Sequence, residues 1–417
     1  MVKSATAHTQ QSARAGILPA IHAANHCRAG PLVNTRARSA GLTVAAGVLL
    51  LQVSVLAYQS WWRFGPGLDL NVYLEACRAF WQGANPYTIP MPAPFVYPPF
   101  VCVILWPLAQ LPLGAAAAVW FVLSVVALGA ALALILRISG PLDAGRAVGA
   151  VAIVCVLLTE VLQNNLRNGQ INFLVLGCTM AFAWYWSRGR RAASACWLAV
   201  AIAVKVTPAI FLIWLARRRD WRTLAATMAL ALGLTIALPA VVAGPRVVED
   251  FRGYVQTFVG DRVTSASGVI VERRPFSVSG ALHRFTDVSW PFDAVVLGLG
   301  VLLLTAFLFD RGRPAAGQGA AVLVGLYLVA ALLATPMSEV HHLAFVLPGL
   351  VWLMYRALAG ELSRARLATL AFIIAALMLR RSFHGAAFVG VVGLWLLLAA
   401  ECYARTRALV THEGIKA

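Results

Sequence analysis

An all-α polytopic membrane protein is the fold class this sequence predicts, on three observations. Hydrophobic residues make up 60% of the 417-residue chain and charged residues only 12%, with a mean hydropathy of +0.78. Apolar runs long enough to cross about 30 Å of hydrocarbon recur along its length. The 34 Lys and Arg far outnumber the 16 Asp and Glu, yet they fall in short clusters between apolar runs. That is how positive cytoplasmic loops are distributed, and it argues against a nucleic-acid surface. The seven cysteines lie mostly inside apolar runs with no CxxC spacing, so neither a zinc site nor a disulfide framework is indicated.

In order, residues 1–40 carry five basic and no acidic residues and predict a disordered basic cytoplasmic tail, with a transit peptide as the weaker alternative. A first span from about residue 41 to 59 then places residues 60–113 outside as a large first loop. Within that loop the apolar run 95–111 is broken by Pro98, Pro99 and Pro107 and is short for a crossing, which predicts a half-inserted or surface helix. Spans follow at 114–136, 147–162 and 171–186. The run 192–216 is interrupted by Lys205, Thr207 and Pro208 and flanked by the basic stretches SRGRR (187–191) and RRRDWR (217–222). Both flanks belong inside, which one helix cannot satisfy and two short helices hinged outward at 205–208 can.

Beyond this, residues 223–243 cross outward, 244–291 form a second external loop, and further spans at 292–309, 319–334, 343–355, 367–379 and 385–402 bring the count to about twelve crossings. Both termini are then cytoplasmic, with one transmembrane domain over 41–403 and a cytoplasmic tail over 404–417. Arg380 and Arg381 are the one short-loop basic cluster on the wrong side.

This arrangement gathers the unusual polar residues on the external face, next to the cell membrane. Asp69 opens the stretch 67–100, the one extended polar and aromatic segment between long apolar runs; it reads either as a helix cap or as a carboxylate framed by aromatic and proline residues beside a ring-shaped ligand. Lys205 sits in an apolar run at a cost of about 2.5–3.5 kcal/mol on insertion scales, either snorkelling or meeting a lipid phosphate. His341 and His342 point about 100° apart on a helix and cannot share a metal as an i, i+4 pair does, so one faces a ligand and the other packs. Arg167 lies in a segment dense in Asn and Gln, the donors and acceptors that sugar hydroxyls need.

The ordered motifs carry a resemblance. Asp69, Val72, Tyr73, Trp81, Gly83 and the run Asn85, Pro86, Tyr87, followed by YPPF (97–100), NGQIN (168–172), VKVTP (204–208), SVSGALHRF (277–285) and TPMSEVHH (335–342), resemble glycosyltransferase family 87 over roughly residues 41–400. The chain departs at SVSG, where Asn and Gln are expected before the serine, and at Glu339, where an aromatic residue is common. The family consists of multispanning GT-C enzymes, similar to polyprenyl-phosphate-mannose-dependent α-mannosyltransferases.

What the resemblance implies is an inverting transfer at the outer face, with Asp69 as the general base. Lys205, Arg167, Arg284, His341 and His342 would meet the donor phosphate. Tyr73, Tyr87, Tyr97, Asn168, Gln170, Asn172, Ser279 and Glu339 would contact substrate. The partners are a polyprenyl-phosphate sugar donor, a glycolipid or glycan acceptor and membrane lipids. No cofactor is called for, and a divalent metal is compatible but not indicated. The competing class is a transporter or lipid flippase, against which stand the lack of an internal inverted repeat and of ionisable chains through the spans.

Overall fold

The structure, a computed structural model, describes residues 35–58, 67–140, 142–258, 276–286, 293–310, 320–336, 338–381 and 385–414. The expected tail up to residue 34, most of 259–292 and residues 415–417 lie outside the described residues.

Among the described residues every regular element is helical. In chain order these are α1 (Thr35–Tyr58), α2 (Leu68–Trp81), α3 (Phe100–Ile104), α4 (Trp106–Ala109), α5 (Leu113–Ile138), α6 (Ala144–Leu157), α7 (Thr159–Asn168), α8 (Asn172–Ser187), α9 (Arg191–Val204) and α10 (Ile210–Arg217). There follow α11 (Trp221–Leu232), α12 (Leu238–Ala243), α13 (Val247–Val255), α14 (Val278–Phe285), α15 (Asp293–Leu304), α16 (Ala320–Ala334), α17 (Leu347–Leu358), α18 (Arg364–Met378) and α19 (Ala386–Gly414).

Among the described residues three helices are long and apolar enough to cross a membrane, 113–138, 221–258 and 386–404, or four if the bent pair α6–α7 is one span. Their outward faces carry exposed aliphatic residues, such as Val122, Leu123 and Val126 on α5 and Leu230 and Leu232 on α11, as a lipid-facing surface requires. In contrast α16 is buried on all sides from Ala320 to Leu333. A helix apolar all round belongs at the centre of a bundle, and α16 packs against α15, α17 and α19 there.

The run 95–111 folds as the short helices α3 and α4, of 5 and 4 residues, at 1.5 Å per residue far below a bilayer's thickness. They bind α2 instead: Trp81 Nε1 donates to the Cys102 carbonyl at 3.0 Å, Arg78 Nε to the Ala109 carbonyl at 3.0 Å, and Trp81 stacks on Trp106.

The run 192–216 folds as the hinged pair. The helix α9 stops at Lys205, whose backbone is extended (φ −154°, ψ 130°), and a 3₁₀ turn over Thr207–Ala209 leads into α10. Asp220, beyond α10, pairs with Arg191 at the start of α9 and accepts from Trp186 Nε1 at 3.1 Å. Both basic stretches therefore meet at one end, and Lys205 stands at the other. With 14 and 8 residues neither arm crosses alone.

Three expected boundaries shift. Residues 147–162 do not form one straight span: α6 ends at Leu157 and α7 continues at 69° through the segment read as a loop. The second loop opens with helix α13, which follows a break at Gly244 (φ +59°). The last helix runs on to Gly414, past the expected start of a tail. Arg380, on the unexpected side by charge, pairs with Glu160 in the first turn of α7.

The join that matters most is between α2 and the end of α7. A methyl group at Gly67 would lie 2.3 Å from the Arg167 carbonyl oxygen, and one at Gly169 (φ +69°) would lie 2.6 Å from Leu70 Cβ. Trp120 Nε1 of α5 donates to the Gly169 carbonyl at 2.8 Å and braces the turn. Gly169→Ala should therefore add overpacking to left-handed strain, together about 2–4 kcal/mol, and drive α2 away. Gly189 has the same φ of +69° with nothing within 4 Å, so Gly189→Ala should show strain alone. Thermal unfolding of both variants in detergent checks this; equal midpoints would mean that the α2–α7 contact is loose.

Candidate active site

One cavity of about 740 Å³ opens where α2, the end of α7, the Lys205 break, α16 and the 3₁₀ turn Val340–Val346 converge. Its volume is in the range of small-molecule sites, roughly 300–1,000 Å³. Polar residues line one part, namely Asp69, Asn164, Asn168, Gln170, Lys205 and Glu339, with His341 and His342 beside them. The remainder is apolar and aromatic, including Val96, Ile210, Ile213, Tyr254, Phe258 and Leu302.

The lining includes a carboxylate. Gly67 is the N-cap of α2 and makes no side-chain cap, so Asp69, in the first turn, is not the capping residue. Its Oδ2 instead accepts a hydrogen bond of 2.6 Å from Gln170 Nε2, across the α2–α7 join. That contact turns Gln170 Oε1 toward the Tyr73 hydroxyl, 3.4 Å away, and Tyr73 lies 2.9 Å from the Tyr97 hydroxyl. Burial above all, then the neighbouring Tyr97 and Asp69, push the Tyr73 phenol well above its ordinary value. It stays protonated at any physiological pH and cannot serve as a base. Glu75, another acid on α2, is paired with Arg78 at 2.7 Å and does not line the cavity.

The lining also includes a cation. Lys205 Nζ donates to Asn172 Oδ1 at 2.7 Å, lies 2.9 Å from His342 Nε2 and stands over the Tyr97 ring at 5.8 Å. His342 Nδ1 accepts from the Glu339 backbone N–H at 2.9 Å, closing the turn that presents the residue. His341 Nδ1 is 3.9 Å from Glu339 Oε2, and the two imidazole rings are 4.1 Å apart. Both histidines line the cavity, so the expected division into one ligand-facing and one packing histidine is not what the turn produces. The Tyr97 ring and hydroxyl thus link the lysine to the tyrosine and glutamine that hold Asp69.

Of the residues singled out from sequence, Asp69, Tyr73, Tyr97, Asn168, Gln170, Lys205, Glu339, His341 and His342 all line this cavity. Asn172 is wholly buried behind Lys205. Tyr87 lies behind Tyr97, donating to its carbonyl at 2.6 Å. Like these two, the remaining three lie outside the lining. Ser279 is buried beside Ser277, which caps α14 through Gly280 N–H and donates to the Pro336 carbonyl at 3.0 Å; the SVSG segment supports the cavity rim from behind. Arg284 sits in the last turn of α14 and Arg167 is exposed, both outside the lining.

Sequence reasoning missed Asn165, Trp120, Tyr254 and Phe258. Tyr254, in the last turn of α13, and Phe258, in the helical continuation just past it, are stacked at 5.7 Å; their spacing of four residues places both on one face and was legible in the second loop.

Comparison with known proteins finds a matching family and several relatives. Residues 95–336 match glycosyltransferase family 87, a stretch that contains α3 to α16 and the Lys205 break. The chain is 28% identical over 367 residues, 85% of its length and 80% of the relative's, to a polyprenol-phosphate-mannose-dependent α-(1-2)-phosphatidylinositol pentamannoside mannosyltransferase of Mycobacterium tuberculosis. It is 27% identical to the protein of that name from Mycolicibacterium smegmatis, covering 75% of this chain and 76% of the relative. A polyprenol-phosphate-mannose-dependent α-(1-2)-phosphatidylinositol mannoside mannosyltransferase of Mycolicibacterium smegmatis is 29% identical, over 75% of this chain and 77% of its own length. With the family matched over more than half of its length, the chain belongs to glycosyltransferase family 87.

Proposed function

We propose that this membrane enzyme, a hexosyltransferase dependent on a polyprenyl-phosphate sugar, moves mannose from polyprenyl-phosphate mannose to a glycolipid acceptor at the outer face of the cell membrane. The observation that carries the reading is the single cavity lined both by a carboxylate held by an amide, Asp69 with Gln170, and by a lysine–imidazole pair, Lys205 with His342. Transfer from a lipid phosphate needs a base for the acceptor and positive charge for the leaving group, and these residues supply the two. The relatives' names, which specify a polyprenol-phosphate-mannose donor and phosphatidylinositol mannoside acceptors, support the donor and the glycolipid class.

In this mechanism an acceptor hydroxyl oxygen attacks the anomeric carbon, inverting it. The bond from that carbon to the phosphate oxygen breaks, its electron pair leaves with the lipid phosphate, and the hydroxyl proton passes to Asp69. An ordinary aspartate, with a pKa near 3.9, is a weak base, so the proton departs late, once positive charge has built up on the sugar. Gln170 aims the carboxylate, Lys205 neutralises the growing phosphate charge where low-dielectric surroundings make that effective, and His342, whose Nδ1 is taken by the Glu339 N–H, offers its Nε2–H. The apolar and aromatic part of the lining suits the lipid portions of the substrates.

The outer-face location rests on about twelve crossings and on the sidedness of the basic clusters. The exposed residues Arg167 and Arg190 are suitable probes, Arg167 outside and Arg190 inside. Each, replaced by the sole cysteine of the chain, should react with a membrane-impermeant thiol reagent from opposite sides, and reaction from one side would refute the topology.

Asp69→Asn should reduce kcat by roughly 10²–10⁴ with donor binding retained. More than about a tenth of wild-type turnover in the purified variant would reject Asp69 as the base and turn attention to Glu339.

Lys205→Met should reduce kcat/KM for the donor by roughly 10²–10³ in folded protein, the loss found when one group stabilising a developing anion is removed. Wild-type kinetics in this variant would reduce Lys205 to a structural lysine.

A further inference from the structure

Behind Lys205 lies a chain of two buried amides. Asn165 Nδ2 donates to the Val161 carbonyl at 2.8 Å and to the His341 carbonyl at 2.9 Å. Both protons of that nitrogen are thereby committed to acceptors that cannot reverse roles, so Asn165 Oδ1 must point the other way. There it accepts from Asn172 Nδ2 at 3.0 Å, which also approaches the His341 carbonyl at 3.3 Å. With its nitrogen so placed, Asn172 turns Oδ1 to Lys205 Nζ at 2.7 Å. Asn165 is 1% and Asn172 0% exposed, so water cannot replace either contact.

Turning over the Asn172 amide would bring its N–H groups against the lysine, a donor facing a donor. Turning over Asn165 would set its oxygen against two carbonyl oxygens. The end of the chain away from the lysine is therefore anchored at Asn165, between α7 and the turn that carries the two histidines, and it holds Asn172 in the orientation that accepts from the lysine. We propose that Asn165 is a positioning residue that fixes the polarity of this amide relay and so holds the Lys205 amine where the donor phosphate binds. The proposal rests on the reading of Lys205 as the phosphate-binding residue for its kinetic consequence, but the relay itself does not.

The sequence makes the relay measurable without substrate. Lys3, Lys205 and Lys416 are the chain's lysines, so acylation of Lys205 in the full-length protein can be followed peptide by peptide. Only the neutral amine is acylated, and the Asn172 oxygen favours the charged form. In folded Asn165→Leu, of similar volume but without polarity, Lys205 should be acylated by acetic anhydride at least about tenfold faster than in wild type, the equivalent of one pKa unit.

Asn165→Asp covers the case in which the leucine variant does not fold. It keeps the volume and supplies at most one of the two donors, and it should change the Lys205 rate by at least about threefold. In kinetics, Asn165→Leu should raise the donor KM, and it should have no further effect in a Lys205→Met background, because it acts through the lysine. An unchanged Lys205 acylation rate in the folded variant overturns the relay. Changed acylation together with equal, additive kinetic losses in the two backgrounds leaves the relay standing and overturns its link to the donor. A wild-type protein inert toward polyprenyl-phosphate mannose would overturn the transferase reading and that same link, while the acylation result still decides the relay.

Discussion

A cation at the tip of a helical hairpin constrains much of this structure. Lys205 interrupts an apolar run in a protein built for lipid, where an unsatisfied charge costs several kcal/mol and an unwound backbone is tolerated only against protein or a water-filled cavity. The surroundings meet both requirements. The break at Lys205 faces the cavity, the amine is held by Asn172 beside His342, and the Tyr97 ring lies beneath it. The elements that satisfy it come from distant parts of the chain: the start of α8, the turn at Val340–Val346 and the first long loop. Docking one lysine thus assembles much of the site.

The second half of the site depends on the close approach of backbones. Asp69 and Gln170 are 101 residues apart and come together because Gly67 and Gly169 allow α2 to touch the turn after α7. Tyr73 and Tyr97, which link the two halves, are buried and hydrogen-bonded, which makes them a rigid spacer. Rigidity has a chemical purpose here. A base and an anion-stabilising cation contribute most when neither must reorganise as charge develops. A transporter that alternates access would need one of these walls to separate, and the amide and tyrosine contacts join them.

Much of this was legible in the sequence, for a physical reason: in a chain so apolar, polar residues stand out, and Asp69, Gln170, Lys205 and the two histidines were each conspicuous. The hinge at 205–208 followed from charge on both flanks of one run. What could not be read was the facing of side chains. Arg167 is one residue from Asn168 and turned about 100° away on α7, so the asparagine lines the cavity and the arginine is exposed. Ser279 belongs to a motif that braces the rim from behind. Trp120 lies within an apolar run, where its contact to Gly169 leaves no periodic trace. Asn165 looked like one amide among several until its partners, 7 and 176 residues away, fixed its role.

The central claim is that the lipid phosphate and the acceptor hydroxyl meet between Lys205 and Asp69. A cryo-electron microscopy structure of the protein in a lipid nanodisc, bound to a non-transferable polyprenyl-phosphonate mannose analogue, tests it most directly. The account predicts the phosphonate oxygens within hydrogen-bond reach of Lys205 Nζ, the mannose ring against Gln170 and Tyr97, and the anomeric carbon on the side facing Asp69. A headgroup bound elsewhere, or one whose phosphonate lies away from Lys205 with the anomeric carbon screened from Asp69, would contradict it.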